Sequence, residues 1–164
     1  MPGTDKNGTH GFERYFLEIR NRERWLLSAG GEKVLLLKRK YDGVRCPNFD
    51  QVRKTNQQHG QDLICYGTGF VGGYFKPIEI YVSLLGGAPE QIVSYEYGRK
   101  KTFLQSSWTL WEPFLSSGDL ICRKNGERLE ITSVQRRNWR SYTLHQDFTT
   151  AAVELNHPIY QIPI

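Results

Sequence analysis

The chain has 164 residues, 38% of them hydrophobic and 13% aromatic, which supports one folded domain with or without a helical arm and argues against wholesale disorder. The formal net charge is +5, and the whole excess lies in residues 1–60, which hold 12 Lys and Arg against 7 Asp and Glu. That segment can face nucleic acid, or it can dock as a solvated arm on an acidic neighbour.

Simple patterns disfavour membrane and secreted proteins. No apolar run reaches the roughly 18 residues that a membrane-spanning helix needs. Residues 1–10 are polar and lack the apolar core of a signal peptide. The three cysteines, Cys46, Cys65 and Cys122, are an odd number without the spacing of a disulfide framework. We therefore expect a protein without a membrane segment that is made in a reducing compartment.

Residues 12–28 show the periodicity of an amphipathic helix. Two glycines at positions 30 and 31 end the run and could let the helix pivot. The helix can therefore pack on its own domain, or it can lie as an arm on a neighbouring subunit. In the second case its large apolar side chains are candidate interface residues: Phe12, Phe16, Ile19, Trp25 and Leu26.

A short apolar run at residues 34–37 predicts a buried strand, and a basic triplet follows it directly. This triplet is the densest basic cluster of the chain. It can be a solvated strand end, or it can contact phosphate groups. The triplet and a second basic pair further along the chain are the candidate DNA-facing side chains: Lys38, Arg39, Lys40, Arg136 and Arg137.

A polar loop over residues 45–65 carries three side chains that can bind zinc, Cys46, His59 and Cys65. A structural zinc site usually draws its ligands in pairs of the form C-x₂₋₄-C, because two ligands on one turn supply half of a tetrahedron. The partner positions here hold Phe49 and Asp62, and neither completes a thiolate site. The spacing therefore favours a packed thiol pair or a disulfide over zinc, and we expect no cofactor.

Residues 67–72 match the pattern G-x-G-x-x-G literally. A dinucleotide-binding site requires a helix to begin there, so that the helix N-terminus meets the pyrophosphate. A strand-like alternation of apolar and polar residues follows at 78–83 instead. We therefore expect the glycines to form a sharp corner and no dinucleotide site.

From residue 61 onward, strand-like runs alternate with turns at spacings of about ten residues, as in a small barrel or sandwich. Asn125 and Gly126 form the strongest hairpin signal. Trp108 and Trp111, near the end of one predicted strand, are candidate core or interface anchors. The predicted fold is mainly β, a small antiparallel barrel or sandwich with an N-terminal amphipathic helix and a glycine-rich loop insertion. Its predicted segments are a tail and helical arm (1–31), a strand with a polar loop and glycine-rich corner (32–77), and an antiparallel β-domain (78–164).

The sequence carries no recognisable active site. The four histidines lie in a tail, a loop and two strand-like segments. No motif for an activated nucleophile, a catalytic metal or a phosphate-binding loop occurs. We therefore expect that the protein is not an enzyme.

Three segments taken in order carry a family resemblance. Residues 45–47 read R-C-P, residues 65–74 read C-Y-G-T-G-F-V-G-G-Y, and residues 77–82 read P-I-E-I-Y-V. This order resembles virion proteins of tailed bacteriophages that carry C-P-x-C … C-P-x-C-Y-G-T-G-x-x-G-G-Y before an antiparallel β-domain. Residues 118–131, which begin G-D-L-I and continue N-G-E-R-L-E-I from Asn125, are similar to a hairpin of head-closure (stopper) barrels. The family pattern has four cysteines and this chain keeps two, so the resemblance implies the loop geometry without the metal knuckle.

The resemblance implies a structural protein of the virion, made in the host cytoplasm and located in the neck between portal and tail. Such proteins form rings of about six or twelve copies. They contact a portal or adaptor protein and tail proteins, help to retain the packaged DNA, and catalyse no reaction. In such a ring the helix residues named above, with Trp108 and Trp111, would face neighbours, and the basic clusters would face DNA.

Two other functions fit the same sequence. The chain could be another virion structural protein, of the tail or baseplate. It could also be a small nucleic-acid-binding β-barrel, in which aromatic side chains stack on bases and basic turns contact phosphates. The candidate stacking residues for that barrel are Tyr74, Phe75, Tyr95, Tyr97 and Trp108.

Overall fold

The computed structural model describes residues 8–47, 49–50, 55–56, 63–84, 90–95, 98–162 and 164, with side chains for residues 13–47, 63–84, 105–162 and 164. Within these ranges the chain forms a long helix, nine strands and a short 3-10 helix. In chain order they are α1 (Gly8–Gly30), β1 (Glu32–Leu37), β2 (Phe49–Asp50), β3 (Thr55–Asn56), β4 (Ile78–Leu84), β5 (Glu90–Tyr95), β6 (Gly98–Leu110), β7 (Leu120–Cys122), β8 (Arg128–Trp139), β9 (Tyr142–Ala152) and the 3-10 helix (Pro158–Gln161).

A closed antiparallel barrel of six strands is the centre of the fold. The strands follow one another around it in the order β4, β1, β7, β8, β9, β6, and β6 pairs with β4 to close it. Val82 of β4 lies opposite Thr109 of β6 at this seam. The predicted mainly β fold, a small antiparallel barrel with an N-terminal helix, is confirmed.

The β5–β6 hairpin extends the sheet beyond the barrel. The first part of β6 pairs with β5, with Glu90 opposite Phe103, and the second part pairs with β9. Among the described residues, no strand pairs with the other edge of β5. That edge offers backbone donors and acceptors to a further strand.

The barrel interior is filled by apolar side chains that alternate along the strands. Val34 and Leu36 of β1 belong to this core, as do Ile80 and Val82 of β4. Burial of each such side chain contributes about 1.5–3 kcal/mol to folding. The full buried cluster is Val34, Leu36, Ile80, Val82, Leu115, Ile121, Leu129, Ile131 and Phe148.

A second apolar cluster covers the outside of the barrel wall at β1 and β7. There the glycine-rich loop and the C-terminal segment lie over the strands. β1 is therefore covered on both faces, which explains why residues 34–37 are a continuous apolar run rather than an alternation. The buried members of this second cluster are Leu37, Tyr74, Leu120, Cys122 and Ile159.

The glycine-rich loop is a compact turn held by backbone hydrogen bonds. The amide of Cys46 donates to the carbonyl of Gly69 at 2.9 Å, and the amide of Val71 donates to the carbonyl of Val44 at 2.8 Å. Several of its glycines, at 67, 69, 72 and 73, have positive φ. The predicted sharp corner therefore forms, and residues 73–84 continue into β4 rather than into a helix.

Helix α1 is longer than the predicted range 12–28, and it lies across β4, β6 and β9. Leu27 is buried against the barrel, and its carbonyl accepts a hydrogen bond from the amide of Gly31 at 2.8 Å where the helix ends. Within the described part of the chain, none of the helices combines the length and the hydropathy needed to cross a bilayer.

The N-terminal half of α1 is attached to the start of β9 by one apolar and one polar contact. The Phe16 ring is buried, with its centre 4.5 Å from that of the Tyr142 ring. Arg20 Nη2 donates a hydrogen bond to the carbonyl oxygen of Thr143 at 2.8 Å. Of the two arrangements that the sequence allows, this chain adopts the one in which the helix packs on its own barrel.

Candidate interaction surfaces

Helix α1 carries four large apolar side chains that remain about half exposed or more. Trp25 is 66% exposed, and Tyr15, Leu17 and Leu26 are each about half exposed. Single exposed apolar residues are ordinary on a protein surface, whereas a group on one side of a helix is typical of a contact surface. At about 100° per residue, Tyr15, Trp25 and Leu26 lie on one side of α1 and Leu17 lies opposite Leu26. Tyr15, Trp25 and Leu26 are called the helix surface below.

The glycine-rich loop carries a second exposed apolar surface. Val44, Val71 and Phe75 line a shallow hollow of about 340 Å³, and all three are exposed. Lys40 borders the same hollow, with Nζ 3.1 Å from the carbonyl oxygen of Val71, to which it donates, and 5.8 Å from the centre of the Phe75 ring. Val44, Val71 and Phe75 are called the loop surface below.

The helix surface and the loop surface belong to different halves of the barrel wall. Helix α1 lies over β9, β6 and β4, which are consecutive around the barrel. The glycine-rich loop packs through Tyr74 over β1 and β7, which are consecutive on the remaining half. The chain thus presents two different apolar surfaces on different sides of the barrel.

The predicted interface residues of the helix fall into three groups. Trp25 and Leu26 are exposed and belong to the helix surface. Phe16 is buried and Ile19 half-buried, so Phe16 is a contact within this chain rather than an exposed interface residue. The side chain of Phe12 lies outside the described residues.

Trp108 and Trp111 are half-buried, and both lie beside α1 or its contacts. The Trp108 ring lies 5.7 Å from the ring of His145, whose Nδ1 is 2.9 Å from Glu23 Oε1 of the helix. The guanidinium of Arg20 lies 4.2 Å from the centre of the Trp111 ring. The two tryptophans therefore help to hold the helix on the barrel.

The stacking platform that a nucleic-acid barrel would need is only partly present. Tyr74 is buried, and burial raises the pKa of its hydroxyl far above the ordinary value. Phe75 is exposed and Trp108 is half-buried. The side chains of Tyr95 and Tyr97 lie outside the described residues. Because Tyr74 is covered by protein, it cannot stack on a base.

Two of the five candidate DNA-facing residues meet at one aromatic residue. Lys38 Nζ donates a hydrogen bond to the carbonyl oxygen of Phe114, and the guanidinium of Arg136 lies 4.7 Å from the centre of the Phe114 ring. Lys38 Nζ also lies 3.2 Å from Asp119 Oδ2, a fully buried carboxylate, which balances the charge of the lysine. Phe114 itself is half exposed.

The other three candidates point elsewhere. The backbone amide of Arg39 donates to Asp119 Oδ1, and its guanidinium opposes the rise that burial causes in the pKa of Glu130. Lys40 borders the loop surface. Arg137 Nε forms an ion pair with Asp147 at 2.6 Å. The basic triplet is thus divided among three environments and is not one patch.

A cation–aromatic surface surrounds residues 111–114, and the sequence predicts an interface or DNA-facing role for three of its members, Lys38, Trp111 and Arg136. Arg20 and Arg24 lie 4.2 and 5.2 Å from the centre of the Trp111 ring. The sequence signal for this surface is W-E-P-F at residues 111–114, in which Trp111 and Phe114 flank a turn-forming Pro113. The members of this surface are Arg20, Arg24, Lys38, Trp111, Phe114 and Arg136.

Cys46 and Cys65 are both buried in or beside the glycine-rich loop. Of the described residues, no three His, Cys, Asp or Glu side chains are grouped so that they could hold a metal ion. His59, the third predicted zinc ligand, lies outside the described residues.

Comparison of the chain with protein-family models and with curated proteins returns no match.

Proposed function

We propose that the chain is a structural subunit of the ring that joins the portal to the tail in the neck of a tailed bacteriophage. The observation that carries this proposal is the position of the helix surface and the loop surface over different halves of the barrel wall. The subunit would be part of the virion, would contact portal or adaptor and tail proteins, and would help to retain the packaged DNA.

A closed ring requires this kind of subunit. In a ring every contact is head-to-tail, so each subunit needs two different surfaces that complement each other. A twofold dimer, by contrast, would need only one self-complementary surface. Burying Trp25 on one side and Phe75 on the other would remove from water two of the large apolar side chains that the monomer leaves exposed.

The resemblance to head-closure proteins supports the same role. The residues that carry it, 65–74, form the compact corner next to the loop surface. Residues 118 and 119 begin the β7–β8 hairpin, and there the buried Asp119 connects β1 to the loop before β7. The free edge of β5 offers a further contact for a neighbour.

A nonsense codon in the gene for this chain tests the proposal. We expect heads without attached tails, together with separate free tails, in negative-stain electron micrographs. Supplying the wild-type chain from a plasmid should restore tailed particles. Normal tailed particles in its absence would contradict the proposal, and tails that lack only their tip would instead favour a baseplate position.

A further inference from the structure

We infer that the cation–aromatic surface binds the phosphate backbone of duplex DNA without regard to base sequence. The inference deepens the neck proposal and rests on it for the identity of the DNA, which would be the packaged genome.

The surface combines a concave shape with exposed cations. Arg24 and Arg136 are exposed, and neither makes an ion pair with another described residue. An exposed guanidinium without a carboxylate partner can donate to phosphate oxygens in bidentate geometry. Between Trp111 and Phe114 lies an open hollow of about 550 Å³, lined by Arg24, Leu110, Trp111, Glu112, Pro113 and Phe114.

The aromatic rings hold the cations in position. The Arg24 guanidinium lies 5.2 Å from the Trp111 ring centre, and the Arg136 guanidinium lies 4.7 Å from the Phe114 ring centre. Such cation–π contacts are attractive and fix the direction of a long side chain. Because part of each arginine's side-chain freedom is already lost in the free protein, binding a phosphate costs less conformational entropy.

The same contacts decide which part of the nucleic acid is recognised. A ring that stacks on a base needs an open face, and guanidinium groups already lie over Trp111 and Phe114. The surface therefore offers charge rather than a stacking platform. Duplex DNA, which carries one negative charge per about 1.7 Å of helix axis, is the ligand that such a surface binds best.

The charged groups at this surface should not all affect DNA binding in the same direction. Glu112 is the acidic member of the six residues that line the hollow, so its carboxylate repels phosphate. Lys38 is balanced by the buried Asp119 and contributes little net charge. Glu112→Gln should therefore strengthen binding, whereas the loss of Arg24 and Arg136 should weaken it.

The test is fluorescence anisotropy with a labelled duplex and with a single strand of the same length, over a range of salt concentrations. In Arg24→Gln/Arg136→Gln, we expect the plot of the log association constant against log salt to become shallower, its negative slope shrinking in magnitude by about two. Binding at about 0.1 M salt should weaken at least about tenfold. The matched control is Lys76→Gln/Lys124→Gln, which removes two exposed cations away from the surface and should change binding less than about twofold. Glu112→Gln should tighten binding about twofold or more.

Three outcomes would overturn the inference. They are no binding by the wild-type chain at low salt, equal losses in the arginine and control variants, and tighter binding to the single strand than to the duplex. Unfolding by urea would verify that all variants are folded, and Glu112→Gln provides a gain of binding that no folding defect can imitate. Failure here would leave the neck position untouched, because that position is tested by tail attachment and not by DNA binding.

Discussion

The backbone amide of Arg39 donates a hydrogen bond to Asp119 Oδ1 at 2.8 Å, although 80 residues separate the two in sequence. The second oxygen, Oδ2, accepts from the amide of Ser116 at 2.8 Å and lies 3.2 Å from Lys38 Nζ. This fully buried carboxylate therefore joins the exit of β1 to the entry of β7 and satisfies two backbone donors.

Replacing Asp119 by Ala should lower the free energy of unfolding by about 3 kcal/mol, because two partly buried amides lose their acceptor and the Lys38 ammonium loses its counter-charge. Asp147→Ala is the matched control, since that carboxylate forms a partly exposed ion pair with Arg137 and its loss should cost less than about 1 kcal/mol. Urea titration measures both changes. Equal losses would show that the buried junction has no special role.

Gly73 in the glycine-rich loop should not tolerate a side chain. Its φ is +60°, and a Cβ would lie 2.7 Å from the backbone carbonyl oxygen of Cys65. We expect Gly73→Ala to lower the free energy of unfolding by about 2 kcal/mol or more. Gly126→Ala has a similar φ of +88° but open space around it, so backbone strain alone should cost about 1 kcal/mol. Indistinguishable losses would contradict the close approach at Gly73.

The two glycines at the end of α1 should respond in opposite directions. A Cβ at Gly31 would lie 2.5 Å from the carbonyl oxygen of Leu27 and 3.0 Å from that of Val82. Gly31→Ala should therefore lower the free energy of unfolding by about 1–3 kcal/mol. Gly30 is the last residue of the helix and an added Cβ would meet nothing within 4 Å, so Gly30→Ala should raise the free energy of unfolding by about 0.4–1 kcal/mol. Thermal unfolding of both variants tests this difference, and a freely pivoting junction would show neither effect.

His157 should make stability depend on pH. Its Nδ1 accepts a hydrogen bond from the amide of Ile159 at 3.2 Å, and burial lowers its pKa below the ordinary value near 6.5. Below that pH the unfolded chain binds the proton more readily than the folded chain. The contribution of neutral His157 to the free energy of unfolding is therefore complete above about pH 6.5 and is lost as the pH falls toward the lowered pKa. His157→Asn keeps an acceptor at the start of the 3-10 helix and removes the titration.

The measurement for His157 is the free energy of unfolding between about pH 5 and pH 8, compared between wild type and His157→Asn. The wild type should lose stability on acidification relative to the variant. A difference that stays constant over this range, or one with the opposite sign, would contradict the burial of a neutral His157.

Trp25 should be needed for assembly but not for folding. Because it is 66% exposed, Trp25→Ser should change the free energy of unfolding by less than about 0.5 kcal/mol. Incorporation of the variant chain into particles, measured by quantitative mass spectrometry, should fall strongly if the helix surface meets a neighbour. Leu155→Ser is the control, since Leu155 is even more exposed but lies outside both apolar surfaces. Normal incorporation of Trp25→Ser would argue against the helix surface as a contact.

Local features of the fold were predictable from the sequence because their signals are local. Asn125 and Gly126 form the turn between β7 and β8, as the hairpin signal predicts. Leu129 and Ile131 alternate into the same core. The choice between barrel and sandwich depends on the pairing of β4 with β6, which no local pattern encodes.

The candidate surfaces were only partly predictable, because they depend on residues that are distant in sequence. Lys38 and Arg39 are adjacent in the chain, yet Lys38 reaches the carbonyl of Phe114 and Arg39 faces Glu130. Consecutive residues of an extended segment point to opposite sides, so the run of like charges that follows β1 is divided among different surroundings. Phe114 carried no periodic signal of its own, and its part in bringing Lys38 and Arg136 together could not be inferred from the sequence.

Cryo-EM reconstruction of the particle that contains this chain tests the neck proposal most directly. We expect a ring of about six or twelve copies between portal and tail, with the helix surface of each subunit buried against a neighbour's loop surface. Absence of the chain from the particle, a position at the tail tip, or a ring in which Trp25 and Phe75 remain in solvent would contradict it.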